Sequence, residues 1–110
     1  MRPDTLLIGS WEGQVLEDGR PYSIAIVIEK LTPGQYAGTT TYSGRLDCKG
    51  LLTFQRQRAG LFEFKENINS GNGCADGGRI ELWFNSDGTL QFEWHNRQNK
   101  PVAVATVERK

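Results

Sequence analysis

Turn signals recur at short intervals along this chain and leave only brief segments between them. These segments alternate apolar with polar residues and are rich in β-branched and aromatic side chains, which is the pattern of half-buried strands. The turn signals are short motifs, most with glycine: Asp18-Gly19, Pro33-Gly34, Ser43-Gly44, Ala59-Gly60, segment 69–78, Asp87-Gly88 and Gln98-Asn99. The sequence therefore predicts a short turn at 3–7 and eight strands: 8–16, 21–31, 35–43, 46–57, 61–69, 79–85, 90–96 and 102–109.

The hairpin turns can be checked by whether they place apolar residues on one face, because a one-residue slip turns every side chain over. We expect a two-residue turn at Asp18-Gly19, and three-residue loops at 58–60 and 86–88. These choices give apolar cross-strand pairs throughout: Trp11–Ile26, Val15–Tyr22, Phe54–Phe64, Phe84–Leu90, Leu82–Phe92 and Ile80–Trp94. Consistent pairing of this kind supports the predicted register.

Short connections between consecutive strands favour an antiparallel meander. Eight such strands leave two exposed edges, and closing the sheet into a barrel removes both edges while burying the apolar face. The prediction is one all-β domain over residues 1–110, an eight-stranded antiparallel up-and-down β-barrel.

Two short motifs at the ends of the chain resemble the calycin pattern of lipocalins, fatty-acid-binding proteins and, more loosely, avidins. Gly9-Ser10-Trp11 opens the first strand, and "TVERK" closes the last with Arg109. The resemblance implies a barrel with Trp11 as its floor and Arg109 packed over the indole. The lipocalin signature after the first strand and the avidin biotin-site pattern are missing, so the resemblance implies the fold without any family's ligand.

A second likeness lies in the middle of the chain. "DCKGLLTF" followed by "GCADGGRIEL" resembles small uncharacterised β-domains of cyanobacterial and actinobacterial proteins, some of them appended to protein kinases. No activity follows from this likeness.

Charge and hydropathy exclude several classes of partner. Thirteen basic and thirteen acidic residues cancel, whereas nucleic-acid and membrane-surface binders usually carry a positive excess. No apolar run is long enough to span a membrane, and the start of the chain does not resemble a signal peptide. We expect either a cytoplasmic protein or a domain cut from a longer chain.

The glycine-rich loop at 69–80, "NSGNGCADGGRI", is the segment that first suggests chemistry. It runs into a strand, whereas a phosphate-binding P-loop runs through Gly-Lys-Ser/Thr into a helix. The only histidine, His95, is predicted on an outer face away from Cys74, and two cysteines with one histidine lack zinc-type spacing. An anion nest at Gly77-Gly78 is an alternative. The preferred interpretation is a disulfide, or at least a close thiol pair, between Cys48 and Cys74, since Cys48 is predicted opposite Ser70, four residues from Cys74. Such a bridge fits an oxidising compartment better than the cytoplasm.

The predicted register also places Glu81 directly across from Glu93 on the outer face. Like charges in that position are destabilising unless a neighbour neutralises them. Arg79 or Lys65 is one solution, and the alternative is a cation or partner site beside His95 and Trp83. An outward Trp83 is a typical interface anchor.

The function classes that remain are binding classes, because no catalytic constellation can be assembled. The leading hypothesis is a non-catalytic module that holds a small apolar or amphipathic molecule inside the barrel. Its candidate contacts are Tyr22, Tyr36, Tyr42, Phe92 and Trp94. The alternative is a packed barrel that binds another protein through its surface, as an inhibitor or accessory domain would. The two differ in whether the interior holds a cavity of about 300 Å³ or more. No cofactor or metal ion is expected, and the sequence leaves the oligomeric state open.

Overall fold

The computed structural model describes residues 3–44, 47–72, 74 and 76–110. Its eight strands follow one another around a closed antiparallel barrel, with β1 hydrogen-bonded to β8. The elements are α1 (Pro3–Leu7), β1 (Gly9–Glu17), β2 (Arg20–Ile28), β3 (Tyr36–Ser43), β4 (Asp47–Arg58), β5 (Leu61–Asn72), β6 (Arg79–Phe84), β7 (Leu90–His95) and β8 (Pro101–Arg109). The predicted all-β up-and-down barrel is confirmed. No helix among the described residues is long and apolar enough to cross a membrane.

The predicted pairings in the β1–β2 hairpin and the β6–β7 hairpin are confirmed. Trp11 pairs with Ile26 and Val15 with Tyr22 around the Asp18-Gly19 turn, whose two residues both have positive φ angles, 52° and 74°. This is the geometry of the type I′ turn that suits the twist of a two-residue hairpin. Around 86–88, the apolar pairs appear as expected, and Glu81 faces Glu93.

The hairpin between β4 and β5 corrects the prediction of a three-residue loop. Arg58 pairs with Leu61, so the turn contains only Ala59 and Gly60, both with positive φ. Phe54 nevertheless pairs with Phe64, because the ladder is irregular between Phe54 and Arg56. The bulge restores the register that the shorter turn would have shifted.

Most strand bounds agree with the prediction to within one residue, and two differ by three residues. β2 ends at Ile28, three residues before the predicted 31, whereas β5 extends to Asn72 instead of 69. A second irregularity between Lys49 and Gly50 pairs Cys48 with Gly71 and not with Ser70. The predicted first residue of β4, residue 46, lies outside the described residues.

Trp11 marks one end of the barrel, which we call the floor end. The indole is 1% exposed, packs edge-on against Phe84 at 6.0 Å between ring centroids, and donates from Nε1 to the Leu7 carbonyl at 3.0 Å. The Arg109 guanidinium carbon lies 4.3 Å from the indole centroid. Arg109 also donates to the Leu6 and Ile8 carbonyls. The geometry expected for Trp11 and Arg109 is therefore present, with α1 covering the floor.

A disulfide marks the opposite end, which we call the disulfide end. Cys48 and Cys74 are bridged, with their Cα atoms 6.4 Å apart, which confirms the predicted pairing. Residues 73 and 75 of the glycine-rich loop lie outside the described residues. The loop-closure model assigns a bridge over this sequence separation of 26 residues about 3.5 kcal/mol of stabilisation.

Candidate functional site

The barrel interior is filled by its own side chains. Many inward-facing residues have no accessible surface, which means that no void large enough for a water molecule touches them. They include Val15, Ile26, Leu52, Phe62, Phe64, Ile80, Leu82, Phe92 and Val107. Close packing of this kind is the normal state of a small barrel whose side chains fill it.

A buried carboxylate lies within this interior near the disulfide end. Glu66 is 1% exposed and accepts hydrogen bonds from Thr40 Oγ1 and Tyr42 OH on Oε2, both at 2.6 Å. Its Oε1 accepts from Trp94 Nε1 at 3.0 Å. Burial raises the pKa of the Glu66 carboxyl, and these hydrogen bonds only partly oppose the rise. Burial also raises the pKa of the Tyr42 hydroxyl well above its ordinary value, and the negative charge of Glu66 adds to this.

The space around Glu66 is tight. A Cβ atom at Gly78 would lie 2.3 Å from the Trp94 ring, and one at Gly50 would lie 2.7 Å from Thr40 Oγ1. Glycine is therefore required at both positions by close approach.

The five residues predicted to contact a ligand do not form one site. Tyr22 and Tyr42 meet edge-on at 5.9 Å near the disulfide end, and Trp94 joins Tyr42 through Glu66. Phe92 is fully buried in the core. Tyr36 starts β3 at the floor end, is 38% exposed, and donates to Glu29 at 2.5 Å.

Glu66 and Thr40 were missed by sequence reasoning. The signal was present, because Phe62 and Phe64 face inward and the period of two places Glu66 on the same side. A glutamate near the end of a strand ordinarily faces solvent, and only its three donors make the buried position tolerable.

The predicted interface residues Glu81, Glu93 and His95 converge on the outer face of β6 and β7. His95 Nε2 lies 2.8 Å from Glu93 Oε1 and 3.4 Å from Glu81 Oε1. Arg79 Nη2 donates to Glu81 Oε2 at 2.7 Å and lies 3.3 Å from His95 Nδ1. Arg79, one of the two cations expected to neutralise this pair, therefore does so for Glu81. We call Glu81, Glu93 and His95 the acid–imidazole cluster.

The burial of His95 differs from the expectation of an exposed side chain. The residue is only 7% exposed, because Glu81, Glu93 and Arg79 surround the ring. Trp83, the other predicted interface residue, is half-buried and borders a depression of about 420 Å³ with Leu61 and Phe84.

A further carboxylate, Glu63 on β5, adjoins the acid–imidazole cluster. Glu63 faces Glu81 across β5 and β6 and binds Arg56 Nε at 2.6 Å and Arg58 Nη2 at 3.0 Å. Burial alone would raise the pKa of the Glu63 carboxyl, but the hydrogen bonds and charges of these two arginines lower it. The arginine pair therefore serves Glu63 and is not a free basic patch.

A group of exposed aliphatic residues lies on the other side of the acid–imidazole cluster. Leu16, Val102 and Val104 are 50%, 36% and 40% exposed. Leu16 on β1 pairs directly with Val104 on β8, and Val104 also pairs with Glu93 on β7. We call Leu16, Val102 and Val104 the apolar patch. Its sequence signal was the alternation in the first half of β8, where Ala103 and Ala105 face inward and Val102 and Val104 face outward.

Comparison of the chain with protein-family models, with curated proteins and with solved structures finds no match.

Proposed function

We propose that this protein is a non-catalytic protein-interaction module whose contact surface is the apolar patch on β1 and β8. The observation that carries the proposal is the exposure of Leu16, Val102 and Val104 on two adjacent, directly paired strands. Single exposed aliphatic residues are ordinary, whereas a contiguous exposed group is typical of an interaction site.

The packed interior supports a protein partner over a ligand held in the barrel. Fully buried Phe62, Phe64 and Phe92 occupy the positions that would line a lumen. A ligand of ordinary size would need a cavity of about 300 Å³ or more in their place. Recognition is therefore assigned to the outside of the barrel.

The charges around the apolar patch define the chemistry of the partner. Glu93 faces Val104, and Glu12 faces Glu108 farther along the same two strands. Lys110 Nζ lies 4.0 Å from Glu12 Oε2. A partner surface with aliphatic side chains flanked by lysine or arginine would complement this face in both shape and charge.

The arrangement of the reactive side chains supports a non-catalytic role. The only histidine of the chain has its ring nitrogens beside Glu81, Glu93 and Arg79. Both cysteines are joined in the disulfide. A histidine base beside a hydroxyl or thiol nucleophile is the arrangement that covalent catalysis would need.

Site-specific photo-crosslinking in cells tests this proposal with a matched control. A photo-reactive amino acid at Val104 is compared with the same group at Leu51, which is equally exposed at 40% but lies on β4. We expect a discrete crosslinked protein only at position 104, weakened by added salt and abolished by Leu16→Asp. Equal labelling at both positions, or none at 104, would overturn the proposal. A crosslinked species of twice the chain mass would reassign the patch to self-association.

A small ligand at the disulfide end is the second candidate function. It is favoured by one observation, a half-buried Trp94 that connects the surface to the buried Glu66 carboxylate. Native mass spectrometry of freshly purified protein distinguishes the two functions. Extra mass that is lost on denaturation would favour the ligand, and bare protein in both spectra would favour the apolar patch.

A further inference from the structure

We propose that the acid–imidazole cluster binds a divalent transition-metal ion, with Zn²⁺ as the best match to its ligand atoms. The site is independent of the protein-interaction function, although Glu93 adjoins the apolar patch through Val104. An imidazole nitrogen with two carboxylate oxygens is a donor set that zinc accepts, leaving one position for water.

The geometry of the three ligand atoms supports this assignment. Glu81, Glu93 and His95 each offer one donor atom, and these atoms all lie within 4.8 Å of one another. The two distances from His95 Nε2 are 2.8 Å and 3.4 Å. Ligands about 2.0–2.2 Å from a tetrahedral zinc ion lie about 3.3–3.5 Å apart. To surround an ion, His95 Nε2 and Glu93 Oε1 would separate by about 0.5 Å, and the two carboxylate oxygens, which lie within 4.8 Å of each other, would turn towards it.

The buried imidazole provides the second, independent observation. The His95 side chain is 9% exposed, and its Nε2 is buried without a hydrogen-bond partner among the described residues. Glu93 Oε1 is near enough at 2.8 Å, but it lies off the direction that a hydrogen bond requires. A buried polar atom left in this state is unusual and calls for a partner. A metal ion between Nε2 and the two carboxylates would supply it.

Arg79 contacts both Glu81 and His95. It holds the Glu81 carboxylate in place, and its contact with His95 must change when a metal ion binds. A guanidinium group can only donate, so its 3.3 Å contact with Nδ1 requires a lone pair there and places the imidazole proton on Nε2. Zinc binding at Nε2 would move that proton to Nδ1 and end this long contact. The shorter bond from Arg79 to Glu81 Oε2, at 2.7 Å, leaves Oε1 free for the ion.

The experiment uses the single histidine as its reporter. Because the chain has only one histidine, ¹⁵N-detected imidazole spectra of the untagged protein contain signals from His95 alone. We expect the Nε2–H tautomer without metal, and the Nδ1–H tautomer with a large Nε2 shift when Zn²⁺ is added. Isothermal titration should give one zinc ion per chain.

Two variants and a control make the test specific. His95→Gln and Glu93→Gln should each weaken zinc binding at least about tenfold, a loss that even changes beside zinc ligands already cause. Glu108→Gln is the control, because Glu108 belongs to another directly opposed glutamate pair, with Glu12, that lacks a histidine. The zinc affinity of the Glu108→Gln variant should equal that of the wild type. Circular dichroism and thermal melting establish that each variant is folded.

Three outcomes would overturn the proposal. They are zinc binding that leaves the His95 spectrum unchanged, equal weakening by Glu108→Gln, and no binding at millimolar Zn²⁺. The last result would assign the cluster to an ion-pair network around Arg79 alone.

Discussion

Glu66 is a buried acidic side chain whose hydrogen bonds and pKa affect the stability of the barrel. Its carboxylate is surrounded by the hydroxyls of Thr40 and Tyr42 and the indole of Trp94. Apolar replacements of similar shape are often neutral or stabilising when a whole buried polar network is exchanged, whereas removal of one member leaves its partners unsatisfied. We therefore expect removal of any one of these four side chains to destabilise the protein more than replacement of all four together.

The raised pKa of Glu66 predicts a specific pH dependence of stability. Because burial raises the folded-state pKa above the unfolded value, the folded protein binds more protons between the two values. This group's contribution to the free energy of unfolding is therefore most favourable below the unfolded pKa, and declines as pH rises towards the folded pKa. Each unit of separation corresponds to about 1.4 kcal/mol.

Glu66→Gln removes this titration and tests the assignment. We expect urea denaturation from pH 4 to pH 8 to show the variant gaining stability relative to wild type as pH rises, with the difference levelling above the folded pKa. The amide has one acceptor oxygen where the carboxylate has two, so we expect the absolute stability of the variant to be lower at every pH. A pH-independent difference for Glu66→Gln would contradict the assignment.

At the scale of elements, turn chemistry decided which predictions succeeded. Asp18-Gly19 and the 86–88 loop have residue types that specify one turn, and their registers were predicted correctly. Ala59-Gly60 does not, because alanine rarely adopts positive φ. The compensating bulge near Gln55 has no sequence signature. A strand with one extra, unpaired residue contains the same residue types as a regular strand, so the sequence does not show where the ladder is interrupted.

The strained Ala59 predicts a stabilising substitution. Its φ of 49° lies in the left-handed region, which asparagine tolerates better than alanine, and Asn-Gly is the preferred type I′ sequence. Ala59→Asn should raise the free energy of unfolding by about 0.5–1 kcal/mol, measured by urea denaturation. Gly60→Ala, at a φ of 85°, is the opposite control and should destabilise the protein. A loss of stability in Ala59→Asn would indicate that the turn has another geometry.

The barrel is closed by pairing between its first and last strands, which are far apart in the sequence. β1 pairs with β8, and Trp11 pairs directly with Arg109. The edge-strand argument predicted that closure, because an open eight-stranded sheet would expose two edges. The acid–imidazole cluster could be predicted only in part. The register brought Glu81 and Glu93 together, but the burial of His95 depends on how the side chains of Glu81, Glu93 and Arg79 close around its ring.

Trp11 is where the closure can be tested. Its indole is 1% exposed between Phe84 and Arg109, so Trp11→Ala should lower the free energy of unfolding by about 3–5 kcal/mol. The loss combines transfer of the indole, a cavity at the floor end and the unpaired carbonyl of Leu7. Trp83→Ala is the matched control, because Trp83 is only half-buried on the outer face, and it should lose clearly less. Denaturant unfolding with the disulfide intact provides both values. A loss below about 1 kcal/mol for Trp11→Ala would mean that the hydrogen bonds between β1 and β8 hold the barrel closed and that the packing of Trp11 contributes little.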